Sequence, residues 1–140
     1  MVESRARVVA VCEPMMDQGE MVCWALERMQ QGLKLSSFPC DTFDPHDVGK
    51  RLAETGADLV LWDVSPVTAH ACGVLEALLQ ARTLTACNVV VTTTDRARLV
   101  RYLGAAAGGL RILQKPYGME ELVLCLEHLA RLGGSHVTAA

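Results

Sequence analysis

Short apolar runs without polar alternation recur along the chain, separated by segments in which apolar residues return every three or four positions. Such runs are typical of strands that a parallel sheet buries on both faces, and the longer period is typical of amphipathic helices. Such runs predict strands at residues 7–12, 59–63 and 87–91, and two shorter or more polar segments, 33–38 and 111–114, are further strand candidates. Each predicted strand is followed by a predicted helix, so the two kinds of element alternate along the whole chain.

Capping residues and glycines bound the first two predicted helices. The first helix follows Asp17, a plausible N-cap, and ends at Gly32. The second begins with Asp44 as N-cap and Pro45 at its first position, and Gly56 ends it.

The three later helices are predicted from their apolar stripes. A loop of small residues, 64–72, precedes the third helix, and a threonine of the 92–94 stretch is expected to cap the fourth. Two acids in the first turn of the fifth helix, Glu120 and Glu121, interact favourably with the helix dipole. The apolar residues of the three helices are, in order, Val74, Leu75, Leu78, Leu79; Leu99, Val100, Leu103; and Met119, Leu122, Val123, Leu126, Leu129, Ala130.

Regular alternation of strand and helix predicts the α/β class. We expect a single doubly wound sheet of five parallel strands in flavodoxin-like (βα)5 order, with right-handed crossovers. The domain is expected to span residues 7–132. Residues 133–140, which begin with two glycines, are expected to form a flexible tail or the start of a linker.

Charge and hydropathy narrow the classes of function. Thirteen basic residues against sixteen acidic ones give a net charge of −3 over 140 residues, which disfavours direct nucleic-acid binding. No apolar run approaches the roughly 20 residues that cross a bilayer, and the start of the chain lacks the apolar stretch of a secretory signal. We therefore expect a cytoplasmic protein without membrane contact, whose six scattered cysteines are reduced and mostly buried.

Polar residues stand where the predicted strands end. In an open parallel sheet the carboxyl ends of the strands form the ligand edge, and the residues there are Glu13, Asp63, Thr92, Thr93 and Lys115. Carboxylates, hydroxyls and an ammonium group at one edge suit a phosphoryl group and a hard divalent cation, and a carboxylate can form an acyl phosphate. Each residue also has a structural explanation, as a turn cap, a helix cap or a surface lysine.

Three segments, taken in this order, resemble the CheY-like receiver domain of bacterial two-component response regulators. They are residues 57–64 around Asp63, residues 89–93 ending in two threonines, and Lys115-Pro116-Tyr117 followed by Glu120-Glu121-Leu122. The resemblance extends from about residue 7 to residue 132. It implies a signalling domain of a two-component system or phosphorelay that carries a phosphoryl group.

The resemblance also implies roles for individual residues. Asp63 corresponds to the phosphoacceptor, which receives its phosphoryl group from a phosphohistidine of a sensor histidine kinase or a phosphotransfer protein. Lys115 corresponds to the lysine that pairs with the phosphoryl group, and its bond to Pro116 is expected to be cis. Thr93, or alternatively Thr92, corresponds to the hydroxyl that follows the phosphoryl oxygen, and the spacing back from Lys115 favours Thr93.

A magnesium site is implied as well, although the first strand departs from the family pattern. Receivers usually end this strand with an acidic pair, whereas the corresponding places here hold Val11 and Cys12. Glu13 remains as the candidate ligand beside Asp63 and the backbone carbonyl of Ser65. Two further departures are a longer loop after Asp63 and an isoleucine, Ile112, where many receivers have a switch aromatic.

Two hypotheses follow. In the first, the chain is a receiver that catalyses at most its own phosphorylation and dephosphorylation at Asp63 and so switches a protein-interaction surface. In the second, it is a degenerate receiver that acts as a phosphorylation-independent interaction or dimerisation module. In either case the last helices are the expected contact face, for a partner or for a homodimer, and it includes Arg98, Arg101, Tyr102 and Glu121.

Overall fold

A computed structural model of the protein describes residues 7–12, 33–38, 44–86 and 88–139. The helix predicted between Asp17 and Gly32 lies outside the described residues, and so does Glu13. Among the described helices, none is long and apolar enough to cross a membrane.

The described strands form one parallel sheet. They are β1 (Arg7–Cys12), β2 (Leu33–Phe38), β3 (Leu59–Val64), β4 (Val89–Thr93) and β5 (Arg111–Gln114). Their order across the sheet is β2-β1-β3-β4-β5, which places β3 at the centre and β5 at one edge. The α/β class and the parallel sheet are confirmed. Strand β4 extends two residues further toward its C-terminal end than predicted, and both Thr92 and Thr93 belong to it.

Four helices and a short 3-10 turn lie in the described part of the chain. The helices are α1 (Pro45–Thr55), α2 (Ala69–Gln80), α3 (Arg96–Leu103) and α4 (Met119–Ala139), and the 3-10 turn is Gly104–Ala107. Helix α1 has the predicted boundaries. Asp44 caps it by accepting the Asp47 N–H at 2.9 Å, and Gly56 ends it in the left-handed conformation, at φ 65°. Glycine is favoured in that conformation because it has no Cβ.

Helix α2 begins earlier than the sequence predicts. Thr68 caps it by accepting the N–H of Ala71 at 3.1 Å, so the predicted loop over residues 64–72 is wrong in its second half. The small residues after Thr68 suit a helical turn as well as a loop, and the hydroxyl cap decides between the two. The loop between Asp63 and α2 is correspondingly shorter than expected.

The threonine cap predicted for α3 is also wrong. Asp95 caps this helix, with its carboxylate accepting the N–H of Arg98 at 3.1 Å. Thr92 and Thr93 lie within β4, three and two residues before Asp95, and their hydroxyls donate to Asp63 and to the Val64 carbonyl.

The last helix continues past the expected domain boundary. It runs to Ala139 and so includes residues 133–139, for which a tail or linker is predicted. Glycine costs about 1 kcal/mol in a helix interior, and Gly133 and Gly134 are not followed by a proline that would force the helix to end.

The core lies on both faces of the sheet, because side chains alternate along each strand. Helices α1, α2 and α3 cover one face, which contains Val60, Trp62, Val64, Val89, Val91 and Ile112. Helix α4 covers the other through Leu122, Leu126 and Leu129, against Leu59, Leu61, Val90 and Leu113. Complete burial of such a leucine contributes roughly 1.5–3 kcal/mol. The two apolar layers hold the strand ends, and the polar residues on them, in fixed positions.

Candidate functional site

Asp63 is a carboxylate held at the C-terminal end of the central strand. It is only 5% exposed, and the alternation along β3 places it on the α4 face with Leu59 and Leu61. Its partner in β4 is Thr92. The Thr92 hydroxyl, which is fully buried, donates to Asp63 Oδ1 at 2.7 Å. The carboxylate is therefore positioned by its neighbour in the sheet register.

Lys115 reaches the same carboxylate from the end of β5. Its Nζ lies 3.0 Å from Asp63 Oδ1, with the lysine side chain 21% exposed and that of Asp63 3% exposed. The peptide bond from Lys115 to Pro116 is cis, as the resemblance implied, and a second cis bond joins Ser65 to Pro66. An ion pair with one nearly buried partner is less screened by solvent than a surface pair.

Ser65 completes a group of three donors around one oxygen. Its hydroxyl donates to Asp63 Oδ1 at 3.2 Å, alongside Thr92 and Lys115. All three donors thus meet on one oxygen of a carboxylate whose side chain is only 3% exposed.

Thr93 faces away from this group. Its hydroxyl donates to the main-chain carbonyl of Val64 at 2.7 Å and accepts the N–H of Asp95 at 3.3 Å. Thr93 shares the α1–α3 face with Val64, its partner in the register. The structure therefore brings together Asp63, Ser65 and Lys115, with Thr92, the predicted alternative, at the position for which spacing favoured Thr93. Strand alternation is the signal that separates the two, because adjacent strand residues point to opposite faces.

Oxygen atoms dominate this edge, and oxygen is the donor that Mg²⁺ prefers. Asp63 supplies a carboxylate and Ser65 a backbone carbonyl at the start of the loop, whereas Glu13 lies outside the described residues. Among the residues that the structure describes, no three His, Cys, Asp or Glu side chains cluster together. The donor chemistry fits a hard cation that keeps several of its waters.

The two described cysteine thiols lie in the core, away from this edge. Cys72 and Cys125 are buried and unpaired with another sulfur. Burial raises the pKa of each thiol above its ordinary value of 9.0, and the nearby Arg98 and Arg111 oppose the shift only in part. Both thiols are therefore protonated at neutral pH, as expected for structural cysteines.

Arginines concentrate on the surface formed by α3 and β5. One depression of about 420 Å³ is lined by Asp95, Ala97, Arg98, Arg101 and Tyr102. A second, of about 340 Å³, is lined by Arg96, Leu110, Arg111, Ile112, Leu113, Glu121, Leu124 and Cys125. The guanidinium of Arg98 lies 6.0 Å from the centre of the Tyr102 ring. Leu124, at 64% exposed, and Tyr102, at 43%, add apolar area to this surface.

Solved receiver domains share the fold of this chain. The chemotaxis protein CheY4 of Vibrio cholerae matches with a TM-score of 0.64 at 17% sequence identity, over 89% of this chain and 99% of that one. A response regulator from Thermotoga maritima gives a TM-score of 0.64 at 17% identity, over 89% and 98%. The receiver domain of a DNA-binding response regulator (merR) from Colwellia psychrerythraea gives 0.61 at 19%, over 89% and 98%.

The likeness to these proteins is one of fold. No protein-family model and no curated protein matches the sequence. The chain has the CheY-like fold of response-regulator receiver domains, with its acid, hydroxyl and lysine side chains at the carboxyl edge of the sheet.

Proposed function

We propose that this chain is a two-component receiver that accepts a phosphoryl group on Asp63 and thereby switches a protein-interaction surface. The observation that carries the proposal is the contact of 3.0 Å between Lys115 Nζ and a nearly buried Asp63 carboxylate at the carboxyl edge of the sheet. A buried carboxylate paired with an ammonium group has the components of a phosphoryl acceptor.

Because Ser65, Thr92 and Lys115 all contact Oδ1, Oδ2 is the oxygen that attacks phosphorus in this proposal. A phosphohistidine of a sensor kinase or phosphotransfer protein supplies the phosphoryl group, and its imidazole leaves as the new P–O bond forms. Lys115 then pairs with the added charge of roughly −1.5 to −2. Thr93, one residue from the site, would exchange its bond to the Val64 carbonyl, now 2.7 Å long, for one to a phosphoryl oxygen.

Magnesium is part of the proposal. Asp63, the Ser65 carbonyl and Glu13 would hold the ion, and Glu13 follows Cys12, whose partner Trp62 precedes Asp63 in the sheet. When bound, Mg²⁺ supplies positive charge to the phosphoryl oxygens.

The complete architecture is proposed to be the five-stranded (βα)5 receiver topology, with the helix predicted over residues 17–32 crossing between β1 and β2. The domain would span residues 7–132, and its place of action would be the cytoplasm, where receivers meet histidine kinases. Asp63 lies on the face covered by α4, so a change at the carboxyl edge would reach the last helix and β5 directly.

The contact face is proposed to be the arginine-rich surface of α3, β5 and α4. Arg98, Arg101 and Tyr102 are exposed there, and Arg98 stacks toward the tyrosine ring. Arginine and tyrosine are enriched at the centres of protein interfaces. Sedimentation equilibrium would measure self-association through this face. It would be weakened in Arg101→Glu and unchanged in Lys50→Glu, a charge reversal at an exposed position of α1. Equal behaviour of the two variants would contradict a homodimer at this face.

One observation favours the alternative, a degenerate receiver that acts as an interaction module without phosphorylation. Strand β1 ends with Val11 and Cys12, so it contributes no carboxylate through its last described residue. A site with fewer acids binds a reluctantly dehydrating ion such as Mg²⁺ more weakly.

The first experiment separates these two functions. The protein is incubated with Mg²⁺ and acetyl phosphate, and intact mass is measured for the wild type and for Asp63→Asn, which keeps the shape of the side chain but not its charge. Addition of one phosphoryl group to the wild type and none to the variant is the expected result. If neither protein gains mass and Mg²⁺ binding is undetectable by calorimetry, the interaction module is the better account.

A further inference from the structure

We infer that Thr92 is a positioning residue that shortens the lifetime of the phosphoryl group on Asp63. The inference rests on the proposed function, since it concerns the acyl phosphate formed there. Thr92 is fully buried, and its hydroxyl donates to Asp63 Oδ1 at 2.7 Å, the shortest of the three contacts to that oxygen.

The geometry assigns different fates to the two oxygens of Asp63. In the proposed function Oδ2 takes the phosphoryl group, and Oδ1 then becomes the carbonyl oxygen of an acyl phosphate. The Thr92 hydroxyl continues to face this oxygen because the β3–β4 register pairs the two residues. Lys115 can pair with either Oδ1 or the phosphoryl oxygens because its side chain is long and flexible. Thr92, in contrast, has a β-branched side chain on a strand.

Hydrolysis of the acyl phosphate returns charge to the oxygen that Thr92 contacts. The oxygen of water forms the new bond to phosphorus, the P–Oδ2 bond breaks, and its electron pair goes to the carboxylate. The protons of water go to the released phosphate and to solvent. Phosphoryl transfer has a largely dissociative transition state, in which negative charge on the leaving carboxylate is already developed.

A hydrogen bond that strengthens on the way to the transition state accelerates the reaction. The Thr92 hydroxyl donates to a neutral carbonyl before hydrolysis and to a developing carboxylate during it. Charge-assisted hydrogen bonds are about twice as strong as neutral ones. Thr92 is therefore expected to speed the loss of the phosphoryl group, and its removal to prolong the phosphorylated state.

Three variants of neighbouring threonines isolate the hydroxyl. Thr92→Val keeps the branched shape and removes the donor, Thr92→Ser keeps the donor and removes the methyl group, and Thr94→Val makes the same change at an exposed position outside the site. Each protein is phosphorylated with acetyl phosphate and Mg²⁺, the donor is removed by rapid desalting, and intact mass follows the decay. Thermal unfolding establishes that each variant is folded.

We expect the half-life of the phosphorylated form to lengthen roughly fivefold in Thr92→Val, and to stay within about twofold of the wild type in Thr92→Ser and Thr94→Val. Thr92→Ala, which also lacks the donor, replaces the valine variant if that variant fails to fold, and the same lengthening is expected.

Two results would overturn the inference alone. One is a Thr92→Val half-life equal to or shorter than that of the wild type. The other is an equal lengthening in Thr92→Ser, which would assign the effect to packing of the methyl group. A wild type that gains no phosphoryl mass is a different result, because it removes the proposed function and the inference together.

Discussion

The main-chain N–H of Lys115 donates to the main-chain carbonyl of Thr93 at 2.7 Å, one residue beyond the last pair of the β4–β5 ladder. This hydrogen bond holds the backbone of Lys115 against the neighbouring strand. Its ammonium group consequently lies beside the carboxylate at the end of β3. The backbone of Lys115 is thus positioned by the sheet, and its flexible side chain extends from there to the carboxylate.

The first prediction concerns the ion pair between Lys115 and Asp63. Lys115→Met leaves a nearly buried carboxylate with two hydroxyl donors and no cation. We expect a loss of about 1 to 3 kcal/mol in the free energy of unfolding, below the roughly 3 to 5 kcal/mol of a completely buried pair because the lysine is partly exposed. Urea denaturation measures the loss.

Two controls accompany this variant. Lys50→Met, an exposed change on α1, is expected to alter stability by at most about 0.5 kcal/mol. In the Asp63→Asn background the lysine substitution should cost much less, because no buried charge is left behind. An equal cost in both backgrounds would contradict the ion pair.

A second prediction follows from the bond between the Thr93 hydroxyl and the Val64 carbonyl. Thr93→Val removes the donor from a buried carbonyl oxygen without changing the shape of the side chain. The expected loss is about 1 to 3 kcal/mol, whereas Thr93→Ser should retain most of the stability. Chemical denaturation of both variants, with the exposed Thr94→Val as control, decides the matter. If Thr93→Ser and Thr93→Val lower the free energy of unfolding equally, the hydrogen bond of the hydroxyl does not account for the loss.

The third prediction tests which residue caps α3. Asp95→Ala removes the carboxylate that accepts the Arg98 N–H, and should lower the free energy of unfolding by about 1 kcal/mol. Thr94→Ala lies one residue earlier and should change stability by only a few tenths of this. The thermal midpoints of the two variants are compared under identical conditions, and a larger loss in the threonine variant would be inconsistent with the observed cap.

The features that the sequence predicted well depend on residues close to one another in the chain. Helix α1 is bounded by Asp44, Pro45 and Gly56, whose effects on the backbone act within one turn and need no tertiary information. Strands β3 and β4 were equally readable, because residues buried on both faces leave continuous apolar runs.

Non-local geometry explains the rest. The choice between Thr92 and Thr93 depends on the register between β3 and β4, and a shift of one residue exchanges the faces that the two side chains occupy. The start of α2 was missed because its first turn consists of small residues, which are as frequent in loops as in helices. The hydroxyl of Thr68 resolves the ambiguity only when its bond to the Ala71 N–H is seen.

A fourth prediction concerns pH. Burial raises the pKa of Cys72 and Cys125 in the folded protein, so the unfolded chain loses these protons first as pH rises through about 9. The folded state binds more protons in that range, and its stability must fall with increasing pH. Below the unfolded value both states are protonated and the thiols add no pH dependence.

The measurement is urea denaturation between pH 8 and pH 10.5 for the wild type and for Cys72→Ala/Cys125→Ala. The double variant is expected to be less stable at pH 8, owing to lost packing, and to have a shallower decline above pH 9. Parallel declines would show that other groups, such as the tyrosines and lysines, account for the whole pH dependence.

Strand β5 closes one side of the sheet with only four residues, and both of its ends, Arg111 and Gln114, are exposed. An edge strand presents main-chain groups that can template intermolecular pairing, and proteins limit this by keeping such strands short and charged. The side-chain carbonyl of Gln114 also accepts a hydrogen bond from the main-chain N–H of Arg96, at 3.1 Å. This bond links the edge strand to the start of α3. A four-residue edge strand with a charged and a polar end is a poor template for intermolecular strand pairing.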